Sequence, residues 1–277
     1  MSPVLKCDDL GILSATSSEL PVEHARRVAA VLDEDIDLRE GTELPLLWHW
    51  AFFASPVATS GLGDDGHPRM SEGGATSGLR SRMWAGGRVE GYTPLRVGRP
   101  AVRHSLITHT ERKSGRSGDL LVVTVEHQIE QDDQVAIVEI QDLIYRGSRS
   151  EPMVLPATTR AIEPPTGGWS EVVIVDPVQL FRFSAITFNS HRIHYDLPYA
   201  TAEEGYPGLV VHGPLAAMLL LRSAHRSGGM GMSFEFRARA PLFANYPLTL
   251  VGRPEVNGMS LEAIRVDGVT AMTALLG

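Results

Sequence analysis

Three long segments of alternating apolar and polar residues constrain the fold of this chain most. They cover residues 101–112, 120–131 and 134–145, and short turns rich in Gly, Ser and Asp separate them. Alternation with a period of two is typical of strands that bury one face. Turns this short join antiparallel neighbours. The first half of the sequence therefore predicts an antiparallel sheet.

Two segments ahead of these strands are predicted to be helical. Residues 18–33 open with a serine and a proline and then place their apolar residues on one helical face. Residues 44–53 are apolar on nearly every side, which favours a helix that is buried all round. Residues 55–91 carry nine glycines and are predicted to form a loop that is either functional or poorly ordered.

The second half repeats the first in outline. A strand at 171–175 is followed by a polar loop and by an apolar helix over 214–226, which begins with Pro214 and ends before Gly228. Further strand candidates follow this helix at residues 232–240, 247–253, 260–266 and 270–276.

The order of these elements predicts an α+β protein with two domains of the same kind. A buried helix wrapped by an antiparallel sheet, occurring twice, is a double hotdog arrangement. We expect an N-terminal domain over residues 1–150, a linker over 151–170 and a C-terminal domain over 171–277, because residues 147–170 hold four prolines and lack a period.

Composition excludes several classes of protein. The 277 residues carry a formal net charge of −8, which argues against binding to nucleic acid. Cys7 is the single cysteine, so a disulfide framework or a cysteine zinc finger cannot form. The sequence has no run of eighteen apolar residues and no signal peptide pattern. We expect a cytoplasmic protein that does not associate with a membrane.

Candidate acid/base residues are concentrated in one region of the second half. His191, His194, Asp196 and His212 lie there beside Asn189. Histidine titrates near neutral pH and therefore suits general acid/base catalysis. His191, His194 and Asp196 could instead be ligands of zinc or iron. We expect no metal and no cofactor, and we expect Asp196 to cap the turn that follows it.

The same region resembles the signature of the MaoC-like hotdog hydratases and dehydratases. That signature reads D-x-N-P-x-H-x-D, followed by an alanine, a glycine and A-H-G at the start of a central helix. Residues 189–196 read N-S-H-R-I-H-Y-D, and V-H-G-P follows at 211–214. The resemblance puts the catalytic histidine of the family on His194, its aspartate on Asn189 and its asparagine on His191. The aspartate is therefore replaced in this chain.

Four further segments resemble one branch of that family. They are L-P-L-L-W-H-W at 44–50, L-G-D-D-G-H-P at 62–68, R-M-W-A-G-G at 82–87 and R-K-S-G-R-S-G-D-L at 112–120. The branch contains hydratases of 3-methylfumaryl-CoA (mesaconyl-CoA) and itaconyl-CoA, and mitochondrial-type 3-hydroxyacyl-thioester dehydratases. In such proteins an N-terminal hotdog domain without the catalytic motif pairs with a C-terminal one that has it.

The resemblance implies a hydro-lyase that reversibly hydrates an enoyl-CoA, the acyl group being a short branched dicarboxylic one. Hydration needs a base that activates water. His194 is our candidate for that base. Asn189 cannot exchange a proton at neutral pH, so we expect it to orient the water. One water can supply both the hydroxyl and the proton, so either His194 suffices as the titrating group or His191 is the second one.

Four more residues are predicted to bind the substrate. The backbone N–H of Gly213, at a helix N-terminus, is expected to donate to the thioester carbonyl, and His212 precedes it. Arg192 and Trp84 are candidates for contact with the substrate carboxylate or pantetheine. The alternatives are a structural ion pair for Arg192 and packing for Trp84.

Other functions fit the same residues. A 3-hydroxyacyl-carrier-protein dehydratase, a hotdog acyl-CoA thioesterase and a non-catalytic acyl-thioester-binding module are all compatible with the fold. The expected partner is an acyl-CoA molecule, whose coenzyme A is part of the substrate and not a cofactor. A homodimer is also possible.

Overall fold

The computed structural model describes residues 12–69, 79, 81–115, 118–147, 152–155 and 162–277. The chain forms two compact units. The first unit consists of residues 1–148 together with 186–190, and the second of residues 149–185 and 191–277. The division falls next to the segment predicted as a linker.

The first unit is built on an antiparallel sheet with the strand order β1-β3-β4-β5-β2. Its strands are β1 (Ile12–Ser18), β2 (Ser81–Gly91), β3 (Ala101–Gly115), β4 (Gly118–Gln131) and β5 (Gln134–Arg146). The three predicted strands therefore form, and each extends by one to three residues. The turn between β4 and β5 has Asp132 and Asp133 at φ of 52° and 61°, the backbone of a type I′ hairpin turn.

The helices of the first unit are short. Helix α1 (Val22–Leu32) lies within the predicted segment and buries its apolar face. The predicted buried helix over 44–53 is wrong, because only a 3₁₀ turn at Trp48–Ala51 forms there. Leu47 precedes this turn at φ 72°, a left-handed conformation that ends any regular helix. Leu44 also donates its N–H to the Leu95 carbonyl at 2.7 Å, so the chain here is held by a β-like contact.

The predicted loop over 55–91 is wrong at its end. Residues 81–91 form β2, which pairs with β5 along its length. The register shifts between Trp84 and Gly86, so a bulge lies directly before Gly86 and Gly87, and these two glycines are paired within the strand. Residues 70–78 and 80 of the predicted loop lie outside the described residues. Strand β1, before the helix, was not predicted.

The second unit has an antiparallel sheet with the strand order β7-β10-β9-β8-β6. Its strands are β6 (Trp169–Ile174), β7 (Ser233–Ala238), β8 (Pro247–Glu255), β9 (Gly258–Arg265) and β10 (Thr270–Leu276). Helix α3 (Gly213–Arg226) packs on β8, β9 and β10 and buries nine of its residues. Burial of this many apolar side chains supplies most of the stability of such a unit.

A second helix, α2 (Pro177–Thr187), occupies the first part of the polar loop predicted between the first strand and α3, so that prediction is wrong for these residues. The Asp176 carboxylate caps it, accepting the N–H of Gln179 at 2.7 Å. No helix in the described part of the chain is long and apolar enough to cross a membrane.

Candidate active site

The candidate catalytic segment begins where α2 ends. Phe188 takes a φ of 53°, which is rare for an aromatic residue, and its side chain is 63% exposed. Such a conformation costs on the order of 1 kcal/mol and persists only where the surroundings fix it. A 3₁₀ turn at Arg192–His194 follows, and it directs His194 into the protein. The motif at 189–196 thus follows a residue in a left-handed conformation and contains a short turn.

The imidazole of His194 is buried and oriented by the backbone. Its Nδ1 lies 2.7 Å from the carbonyl oxygen of Val210, and the ring is 7% exposed. A carbonyl oxygen can only accept, so Nδ1 carries the proton and donates it. In the neutral ring the lone pair is then on Nε2, the nitrogen that a general base uses.

His212 stacks on His194, with ring centroids 3.6 Å apart and an interplanar angle of 19°. Its Nε2 lies 2.9 Å from the hydroxyl oxygen of Ser184, and the residue is 1% exposed. Burial lowers the pKa of His212 well below its usual value, and the charges of His194 and His191 lower it further. The neutral His212 ring therefore packs flat against the His194 ring and fixes its plane.

His191 completes a group of three imidazoles. It is half-buried and meets His194 edge-on, with ring centroids 5.4 Å apart and an interplanar angle of 89°. Protonation of any one ring disfavours protonation of its neighbours. The structure thus brings together three of the predicted residues, His191, His194 and His212.

Gly213 is the first residue of α3, directly after His212. The N–H of a first helical residue has no acceptor inside the helix. Pro214 follows, and it has no N–H of its own. The positive end of the helix dipole and the Gly213 N–H therefore lie next to the stacked histidines.

Arg192 makes a structural ion pair, as the alternative interpretation held. Its Nε and Nη2 atoms donate to Oδ2 of Asp196 at 2.9 and 2.7 Å, and its guanidinium lies 4.2 Å from the centre of the Tyr199 ring. The other Asp196 oxygen accepts the N–H of Tyr199 at 3.1 Å, so Asp196 caps the next turn as expected. The hydrogen bond from Arg192 also lowers the pKa of Asp196. Contact between Arg192 and a substrate stays a prediction.

Two predicted residues belong to the first unit. Asn189 is half-buried and lies in the segment 186–190 that groups with that unit. Trp84 lies on β2, where its ring meets that of Trp50 edge-on at 5.3 Å. Packing is therefore observed for Trp84. The roles of both residues toward water or substrate stay predictions.

Sequence reasoning missed a buried polar cluster in the first unit, centred on Glu139. This carboxylate is 1% exposed and accepts hydrogen bonds from His49 at 3.1 Å, Trp50 at 2.7 Å and Gln141 at 2.6 Å. Burial alone would raise the pKa of Glu139, but the hydrogen bond and charge of His49, together with smaller contributions from His127 and Gln141, lower it to about 2. These partners lie up to 90 residues apart in sequence, so no local sequence pattern predicts their contacts.

A second histidine belongs to the same cluster. His127 is 9% exposed, and its Nδ1 lies 2.8 Å from the hydroxyl oxygen of Ser105. Burial lowers the pKa of His127 to about 4, against the opposing charge of Glu139. His127 is therefore neutral at physiological pH.

The two units, each built on a five-stranded antiparallel sheet, give the double hotdog fold, as predicted. A MaoC-like dehydratase from Phytophthora capsici superposes with a TM-score of 0.68 at 14% identity, over 95% of this chain and 94% of that one. A conserved hypothetical protein from Mycobacterium tuberculosis with a double hotdog fold gives a TM-score of 0.58 at 12% identity, over 97% of each chain.

The sequence identifies the family within this class. Residues 47–244 match the family described as hydroxyacyl-thioester dehydratase type 2. The mesaconyl-C(4)-CoA hydratase of Chloroflexus aurantiacus is 47% identical over 233 residues, which cover 83% of this chain and 82% of that protein. This chain belongs to the hydroxyacyl-thioester dehydratase type 2 family.

Proposed function

We propose that this enzyme reversibly adds water to the double bond of an acyl-CoA thioester, and that its substrate is 3-methylfumaryl-CoA. The family supports hydratase and dehydratase chemistry on acyl thioesters. The identity to a mesaconyl-C(4)-CoA hydratase supports a short branched dicarboxylic acyl group. The observation that carries the proposal is the His194 ring, whose Nδ1–H is held by Val210 while its Nε2 keeps a lone pair.

His194 acts as the general base in this proposal. Its Nε2 takes a proton from water while the water oxygen bonds to the β-carbon of the enoyl thioester. The double bond shifts toward the carbonyl, and the resulting enolate takes the proton back from His194 at the α-carbon. One water thus supplies both the hydroxyl and the hydrogen, and the enzyme returns to its starting protonation state.

Charge develops on the thioester oxygen during this addition. A backbone N–H that has no other acceptor can stabilise it, and the start of a helix supplies favourable electrostatic potential. Gly213 offers that N–H at the first position of α3. Removing one such donor typically costs about 100- to 1,000-fold in rate, so this group has a substantial role in the proposal.

Asn189 and His191 have supporting roles in the proposal. The Asn189 amide can donate and accept hydrogen bonds and so hold a water in line without exchanging a proton. His191, edge-on to His194, limits the charge that the cluster can carry. With a single titrating base, the missing aspartate of the MaoC-like signature does not prevent hydration.

A panel of CoA thioesters tests the proposal. We expect the purified enzyme to abolish the enoyl absorbance of 3-methylfumaryl-CoA and to form a 3-hydroxyacyl-CoA, with no free thiol detected. Thiol release would instead identify a thioesterase, and binding without turnover would identify an acyl-binding module. Faster dehydration of a 3-hydroxyacyl carrier protein than of the CoA thioester would overturn the proposed carrier.

A further inference from the structure

Arg103 lies on the core-facing side of the sheet in the first unit. It lies on the same face of β3 as the buried residues Ala101, Ser105 and Ile107, because residues two apart in a strand point to the same side. Across the sheet it pairs with the fully buried Ile129. Its own side chain is half-buried. A guanidinium on this face is unusual, because the positions around it are those that build the apolar core.

The Arg103 guanidinium has no ion pair or side-chain hydrogen bond in the part of the chain that the structure describes. Its Nε is buried without an acceptor, and its nearest favourable contact is the Phe53 ring at 5.6 Å. The charge of Glu139 acts on it, but the two oxygens of that carboxylate already accept hydrogen bonds from His49 and Trp50. Burial lowers the pKa of Arg103, because a charged guanidinium loses part of its hydration there.

We infer that Arg103 is the binding group of a carboxylate site in the first unit. An arginine fork matches a carboxylate with two parallel hydrogen bonds, and it is favoured wherever a planar anion is recognised. The anionic Glu139 nearby disfavours a single group that carries two charges, such as a phosphate monoester, more than it disfavours one carboxylate, because like charges repel strongly where water is scarce. Phe53 provides an apolar wall for the carbon skeleton beside the carboxylate.

A free dicarboxylate that binds to the first unit independently of the reaction can supply this carboxylate. The kinetic measurement below tests that independence.

Binding to the full chain tests the inference without requiring turnover. Methylfumarate is titrated by calorimetry into the wild type and into Arg103→Met, Arg103→Lys and Arg99→Met. Arg99 is the matched control, because it lies in the same unit and pairs with Asp132 at the surface. We expect Arg103→Met to weaken binding about 10- to 100-fold, with Arg103→Lys in between and Arg99→Met unchanged. Equal binding by Arg103→Met and wild type would overturn the inference.

Thermal unfolding separates binding from a structural role. Removing a poorly solvated charge without an ion-pair partner should leave the melting temperature of Arg103→Met unchanged or raise it. A lower melting temperature together with unchanged methylfumarate binding would show that Arg103 only supports the fold, and would refute the site.

Steady-state kinetics test whether the site is independent of the reaction. We expect Arg103→Met to keep the wild-type kcat/KM for both 3-methylfumaryl-CoA and crotonyl-CoA while methylfumarate binding is weakened. A kcat/KM for 3-methylfumaryl-CoA that falls about 10- to 100-fold would overturn independent binding. A wild type that hydrates neither substrate would refute the proposed function, and the calorimetric result would still decide the site.

Discussion

The buried His212 ring should make the folded second unit sensitive to acid. Burial, aided by the charges of His194 and His191, lowers the pKa of His212 well below its usual value, so the folded protein excludes the proton. The unfolded chain accepts it at a pKa of about 6.5. The stability that a neutral His212 provides is therefore complete above pH 6.5 and is lost as pH falls. For a histidine that stays neutral in the folded state, the loss between pH 7 and pH 5 is about 2 kcal/mol.

Replacing His212 with glutamine removes this titration. We expect His212→Gln to be less stable at pH 7, by about 1 kcal/mol or more, because the stacking on His194 is lost. Its free energy of unfolding should then fall by about 2 kcal/mol less than that of the wild type between pH 7 and pH 5. Urea titrations followed by circular dichroism measure both quantities, and hydrogen exchange of α3 assigns the change to the second unit.

Two further variants control the measurement. His225→Gln removes a solvent-exposed histidine from the same helix and tests the effect of the substitution itself. His127→Gln removes the buried histidine of the first unit, whose pKa is lowered to about 4, and should affect acid sensitivity in that unit. If His212→Gln keeps the full pH dependence of the wild type, His212 is not neutral in the folded state and the reasoning fails.

Further predictions concern neighbouring contacts. Ser184→Ala removes the hydroxyl that holds His212, so it should lower stability by about 1–3 kcal/mol and lower kcat with little change in KM. Unchanged steady-state constants would show that Ser184 does not position the histidines. In Gly252→Ala the new methyl group would overlap the Trp169 indole, and we expect a destabilisation of about 1–3 kcal/mol in thermal unfolding. Gly208→Ala, which adds a methyl group in open space, is the control, and equal melting temperatures would contradict the packing between β6 and β8.

Regular patterns predicted the parts of the fold that local sequence determines. The alternating segments became β3, β4 and β5 because each buries one face of a sheet. The apolar run after Pro214 became α3 within one residue of the prediction, because proline starts a helix there and the run packs on three strands. The MaoC-like signature likewise located the three histidines that stack and meet edge-on.

The errors arose where long-range contacts decide the structure. Residues 81–91 look like a loop because of their glycines, yet pairing with β5 holds them as a strand. Helix α2 did carry a local signal, Asp176 followed by Pro177, but its burial depends on the rest of the unit. The contact of Ser184 with His212 spans 28 residues, so no spacing rule could reveal it.

The most direct test of the account is the rate at which the wild type and His194→Gln hydrate 3-methylfumaryl-CoA, with His225→Gln as a control for loss of a histidine. Glutamine can still fill the space beside His212 and donate to Val210, but it cannot accept a proton from water. We predict that kcat falls at least about 100-fold in His194→Gln, while the lost stacking on His212 lowers stability by only about 1 kcal/mol and the enzyme stays folded. A kcat within a few-fold of the wild type would contradict the assignment of His194 as the base.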